Sequence, residues 1–141
     1  MATVHLTRTA RFCASHRYYR PDWSEEQNFD RFGACANAPA HGHNYICTIT
    51  ISGKPNPEVG MVLDLAVFDR ILQEEIVDRF DHRHINDAAE QFGSGQDIPT
   101  SEMLAIFFFN RIAARLPDGV TLKGVRVEET PGFFAEYFGE E

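Results

Sequence analysis

Two long segments alternate apolar and polar residues, and together they restrict the fold more than anything else in the chain. Residues 4–16 place Val4, Leu6, Ala10, Phe12, Ala14 and His16 on one parity, interrupted only by Arg8; His5, Thr7, Thr9, Arg11 and Ser15 fall on the other. Residues 41–51 repeat the pattern, with His41, His43, Tyr45, Cys47, Ile49 and Ile51 in step. A period of two puts one set of side chains on one face of a strand, so both segments read as strands with a single buried face. A turn, GKPNPEVG, follows the second. Residues 17–40 carry Pro21, Asp22, Asn28, Gly33, Asn37 and Pro39 and keep no strand period, so a long irregular loop is expected between the strands.

Leu65, Phe68, Leu72 and Ile76 then recur at helical spacing behind Asp64, a natural N-cap, and this helix should end near Phe80. A second helix is expected from Pro99-Thr100-Ser101-Glu102 through Leu104, Phe107, Phe108 and Ile112 to Leu116, before Pro117. Two further strands, TLKGVRVEET and GFFAEYF, close the chain. The expected architecture is α+β, in the order ββααββ, as one domain over residues 1–141 with both helices on one face of an antiparallel sheet. So few strands leave open edges, and pairing with further copies is the simplest way to cover them, so a homo-oligomer is expected.

The 43% hydrophobic content and 12 phenylalanines suit a globular core. A net charge of −8 argues against nucleic acid as a partner, because phosphate binding needs a basic surface. No apolar run is long enough to span a membrane and no secretory segment opens the chain, so the expected compartment is the cytoplasm. Cys13, Cys35 and Cys47 do not form a disulfide framework. Cys13 and Cys47 are expected to pack in the strands as small apolar residues. Arg8, Arg11, Arg17 and Arg20, with no acid in the first 20 residues, permit a local anion site there.

The chemistry gathers around His41-Gly42-His43. Histidines at i and i+2 of a strand share a face and can reach one ion. His16 ends the neighbouring strand on its inward parity and is the natural third ligand. Three neutral imidazoles with an open fourth position suit zinc acting as a Lewis acid. His5, on the wrong parity, reads as a surface residue. Cys35, six residues before His41, is either a thiolate held beside a metal or a loop cysteine packed under Phe32. Asp81 can orient His82 for proton transfer, or the histidines there can simply complement a helix C-terminus. Glu129 shares the inward parity of Val125 and Val127 and would anchor an N–H-rich heterocycle. Glu102 can be read as a first-turn acid.

In order along the chain stand F-x-A-S-H at 12–16, F-G-x-C at 32–35, H-G-H-N-Y at 41–45, G-M-V-x-D-L at 60–65, D-H at 81–82, P-T-S-E at 99–102, V-E-E-T at 127–130 and Y-x-G-E at 137–140. This ordered set resembles the 6-pyruvoyl-tetrahydropterin synthase family, which includes the 6-carboxytetrahydropterin synthases of queuosine formation. The resemblance implies the tunnelling fold, with trimeric barrels stacked into a hexamer and active sites between subunits. It implies Zn2+ on His16, His41 and His43, catalysis by Cys35, Asp81 and His82, and a pterin pocket formed by Glu129, Thr100, Ser101 and Glu102. The implied reaction converts 7,8-dihydroneopterin triphosphate to 6-pyruvoyltetrahydropterin with loss of triphosphate. The carboxy-forming branch would cleave the side chain and release acetaldehyde instead. The long loop and the Cys35–His41 spacing look more like the pyruvoyl-forming members. A non-catalytic, zinc-stabilised pterin-binding oligomer is the rival of another class, but it gives Cys35, Asp81 and His82 no role.

Overall fold

A computed structural model describes residues 2–140. Strands β1 (Val4–His16) and β2 (His41–Gly53) pair antiparallel along their whole length, from Val4 opposite Gly53 to His16 opposite His41. β4 (Thr121–Thr130) pairs with β2, and β5 (Phe133–Tyr137) pairs with β4, both antiparallel. The two-residue β3 (Arg83–His84) runs parallel to β1 beside Ala14 and Ser15, giving the order β3-β1-β2-β4-β5. The sheet is therefore antiparallel but for this short flap, which the sequence pattern did not predict.

The inward parities read from the sequence hold. Phe12, Ala14, His16, Tyr45, Cys47, Ile49, Ile51, Val125 and Val127 are all buried. On that parity Val4, at the start of β1, is exposed, and so is Arg8, which makes a paired hydrogen bond to Asp69 at 2.9 and 3.1 Å. Cys13 is a correction: it is exposed on the sheet's other face, opposite in parity to Phe12 and Ala14, while Cys47 is buried as expected.

Helices α2 (Leu65–Leu72) and α5 (Ser101–Ala113) cover the inward face, with α3 (Asp78–Phe80) and α4 (Ile85–Ala88) as short turns between them. The Asp64 side chain caps α2 through Ala66 N, and Thr100 caps α5 through Met103 N. Phe12 stacks on Tyr45 at 4.6 Å, and Phe80 and Phe108 pack against Phe12 at 6.0 Å. Phe107 and Phe108 are buried, as expected of core residues.

Between α2 and α3 the chain widens into a π turn, Gln73–Val77. Phe68, Leu72, Ile76 and Phe80 recur every fourth residue, and a 3.6-residue turn would rotate each by about 40° from the last. The wider turn takes up that drift and keeps the row on the core. It also buries Glu75, whose carboxylate receives hydrogen bonds from Arg111 at 2.8 Å, Arg79 at 3.0 Å and Arg115 at 3.0 Å. Burial raises the Glu75 pKa, but the three guanidinium bonds outweigh it and hold the carboxyl below its ordinary range. Glu75→Ala should lower the unfolding free energy by about 2 kcal/mol, discounted for the part-exposed arginines. A urea titration showing no change would mean that water screens this cluster.

Residues 17–40 are not irregular throughout, a second correction. Glu25–Phe32 form α1, and Gly33–Ala36 a 3-10 turn. Ser24 and Gln27 make a reciprocal capping box, signalled by the sequence S-E-E-Q. Buried Asn28 bonds both the N–H and the carbonyl of Arg20 and the carbonyl of Ser24, tying α1 to the chain that leaves β1. Among the described residues no helix is long and apolar enough to cross a membrane.

Candidate metal centre and its surroundings

The site stands where β1 ends and β2 begins. In register, His16 faces His41, Ala14 faces His43, and Phe12 faces Tyr45. Gly42, between the two histidines, brings its backbone close to β1: a Cβ there would lie 3.3 Å from the Ala14 carbonyl oxygen. The loop returns Cys35 to the same end, because the Tyr18 N–H bonds the Cys35 carbonyl at 2.9 Å.

His16, His41 and His43 each offer a ring nitrogen, and these atoms lie within 4.8 Å of one another. His16 Nε2 is 3.1 Å from His41 Nε2. His43 Nε2 is buried with no hydrogen-bond partner among the described residues. A buried, unpartnered imidazole nitrogen is costly in a protein that needs nothing there, whereas a cation at the centre would satisfy it. Burial, then His43 and His41, lower the pKa of His16 to about 3. Burial also lowers that of His43, against the opposing pull of Glu129. Both rings are thus neutral at physiological pH, the form that ligates metal. The residues present fit a metal.

Glu129 comes from β4, where the register against β5 shifts between Glu128 and Thr130. Such a bulge re-aims a side chain, and the Glu129 carboxylate faces the histidines, 3.8 Å from His16 Nε2 and 3.9 Å from His43 Nε2. With neutral rings these are not ion pairs. Tyr18 Oη donates to Glu129 Oε1 at 3.3 Å, and its ring lies 4.7 Å from that of His16. Cys35 is half-buried, its Sγ 3.9 Å from His41 Nε2. Burial, and then the Glu129 charge, push the Cys35 thiol up.

At the start of α5, Thr100 Oγ1 accepts from Met103 N, Ser101 Oγ is buried without a partner among the described residues, and Glu102 is exposed. Asp81 and His82 lie elsewhere. Asp81 Oδ2 is 3.2 Å from His82 Nδ1, Asp81 Oδ1 accepts from the Cys13 N–H, and the His82 side chain is 82% exposed. The pair lines a cleft of about 540 Å³ on the sheet's open face, with Arg11, Asn44, Ile46 and Glu128. One chain therefore brings Cys35, Glu129 and the three histidines together but leaves Asp81 and His82 on the other side. Of the N-terminal arginines, Arg8 is held by Asp69, Arg17 by the Ala36 carbonyl, and Arg20 by the Gly95 and Gln96 carbonyls.

The sequence reading missed Tyr18 and Tyr45 as site residues. Tyr45 shares the parity of His41 and His43 and was readable there. Tyr18 follows the strand's end, where no period points it anywhere.

The fold and site define an α+β domain with an antiparallel sheet covered by helices on one face and a three-histidine candidate metal centre at the end of its central hairpin. The family described as 6-pyruvoyl tetrahydropterin synthase matches residues 5–140. The chain is 35% identical over 137 residues to a human 6-pyruvoyl tetrahydrobiopterin synthase, covering 97% of this chain and 92% of the relative. It is 36% identical to the protein of that name from Dictyostelium discoideum, covering 98% of both. The structure of Caenorhabditis elegans 6-pyruvoyl tetrahydropterin synthase superposes with a TM-score of 0.90 at 33% identity, covering 99% of this chain and 98% of that one. The protein belongs to the 6-pyruvoyl tetrahydropterin synthase family, a family of lyase-type enzymes with the tunnelling fold.

Proposed function

We propose that this protein converts 7,8-dihydroneopterin triphosphate to 6-pyruvoyltetrahydropterin with elimination of triphosphate, a step in tetrahydrobiopterin formation, using zinc held by His16, His41 and His43. The observation that carries this reading is the three-imidazole cluster, with His16 buried and His41 and His43 part-buried, faced by both a carboxylate and a thiol, in a chain of this family. When bound, zinc supplies Lewis acidity toward the side-chain hydroxyls of the substrate.

The other roles fall to the chain's own groups. Glu129, steadied by Tyr18, takes N–H donors of the pterin ring. Ser101 Oγ, buried and unpartnered, offers a further polar contact, while the Thr100 hydroxyl is already committed to Met103 N. Thr100 therefore shapes the pocket as the cap of α5, and Glu102 contributes from the exposed side of the same turn. Cys35 removes the carbon-bound proton beside a substrate hydroxyl, and Asp81 orients His82 to relay protons. Oxidation of the side-chain carbons is matched by reduction of the dihydropterin ring, so the rearrangement needs no external oxidant.

Because Asp81 and His82 line the open face, they would serve the site of a neighbouring copy in a homo-oligomer, expected to be a hexamer built as a dimer of trimers. Two features support assembly. β5 is an edge strand carrying exposed Phe133 and Phe134, and β3 covers β1 only at Ala14 and Ser15.

The test is incubation of the zinc-loaded protein with dihydroneopterin triphosphate, followed by mass spectrometry. 6-Pyruvoyltetrahydropterin and triphosphate are expected. A 6-carboxy product with acetaldehyde would transfer the protein to the carboxy-forming reaction, and absence of turnover would overturn the enzyme reading.

A further inference from the structure

We propose that Tyr45 is a positioning residue for the metal centre: its hydroxyl accepts the hydrogen bond from His16 Nδ1–H and thereby keeps His16 Nε2 bare and aimed at the position that His41 and His43 share. This rests on the reading of the three histidines as a metal site and names a residue outside that set.

The geometry is specific. Tyr45 Oη lies 2.8 Å from His16 Nδ1, while His16 Nε2 faces His41 Nε2 at 3.1 Å on the ring's other side. His16 is fully buried, so bulk solvent does not compete for either contact. A neutral imidazole carries one proton, and the nitrogen that bears it cannot ligate. Nδ1 faces a hydroxyl, which can accept, while Nε2 faces another imidazole nitrogen, so the single ring proton is assigned to Nδ1.

The strand register explains why the contact forms. Tyr45 is opposite Phe12 and His16 is opposite His41, leaving Ala14 and His43 between them on the same face. The two rings meet edge to face, with centroids 6.2 Å apart. Tyr45 is itself clamped by its stack on Phe12, 4.6 Å apart with planes 8° from parallel. His16 is therefore oriented by a side chain that is already immobile, an outer-shell arrangement that typically strengthens metal binding 10- to 100-fold (order of magnitude).

The test uses Tyr45→Phe, which keeps the ring and its stack and removes only the hydroxyl. Zinc affinity is measured by competition with a chromophoric chelator for wild type, Tyr45→Phe and His41→Ala. Wild type should bind one zinc per chain and His41→Ala should lose it, and Tyr45→Phe should bind roughly 10- to 100-fold more weakly. Wild type that binds no zinc would sink the metal reading and this inference with it. Zinc bound by wild type and equally well by Tyr45→Phe would sink this inference alone. A second measurement does not depend on the variant folding. Long-range 15N–1H spectra of the metal-free wild type should show His16 protonated at Nδ1, and an Nε2-protonated ring would overturn the assignment.

Discussion

Cys35→Ala protein is expected to bind zinc like the wild type and to turn over dihydroneopterin triphosphate on the order of 1,000-fold more slowly, the usual scale for loss of a positioned general base. The prediction follows from position and charge. Cys35 is the thiol beside the histidine cluster, with Sγ 3.9 Å from His41 Nε2, yet it is not among the three residues whose ligand atoms converge. In the metal-free chain burial and Glu129 both oppose its ionisation. A base must be a thiolate, so the reading requires positive charge at the cluster to reverse that balance. Alkylation of Cys35 followed against pH, with peptide mapping to separate exposed Cys13, should therefore show a lower midpoint in zinc-loaded than in metal-free protein. An undiminished rate in Cys35→Ala, with metal still bound, would remove Cys35 from the assigned role.

Much of this site was legible because two strands carried it. Parity alone put His41, His43 and Tyr45 on one face and nominated His16 from the partner strand, and the register His16 to His41 places them as neighbours. Glu129 was read by the same rule, although the bulge that turns it toward the histidines leaves no mark in a two-residue period. Cys13 shows the rule misapplied: its parity is that of Arg11 and Ser15, and it is exposed as they predict.

What was not legible depends on geometry beyond one strand or helix. The face on which Asp81 and His82 lie is set by a π turn and by two residues of parallel pairing, neither of which has a sequence period. α1 escaped for a different reason: the only one of its residues that is buried is polar Asn28, so no apolar stripe announces it. Its capping box was the sole local signal. Tyr18 reaches Glu129 only because the returning loop fixes its backbone to Cys35.

The metal-free protein should lose stability steadily as pH falls from about 6.5 toward 5. His16 would titrate near its ordinary value of 6.5 in the unfolded chain, but burial and then the neighbouring histidines bring it to about 3 in the folded one. Below pH 6.5 the unfolded state thus binds a proton that the native state refuses, so acid favours unfolding. One such group contributes a slope of up to about 1.4 kcal/mol per pH unit. His43 is displaced in the same direction, which steepens the slope, although its interaction with Glu129 limits its share. Glu75 depends on pH in the same sense but in a lower window: its depressed carboxyl begins to matter only as pH falls below its ordinary value of 4.5. The interval between 6.5 and 5 therefore isolates the histidines. Urea unfolding at pH 7, 6 and 5 should show the decline in wild type, and His16→Gln should remove most of it. A wild type equally stable at all three values would mean that His16 is solvated and protonates freely in the native state, a result incompatible with a buried, neutral imidazole there.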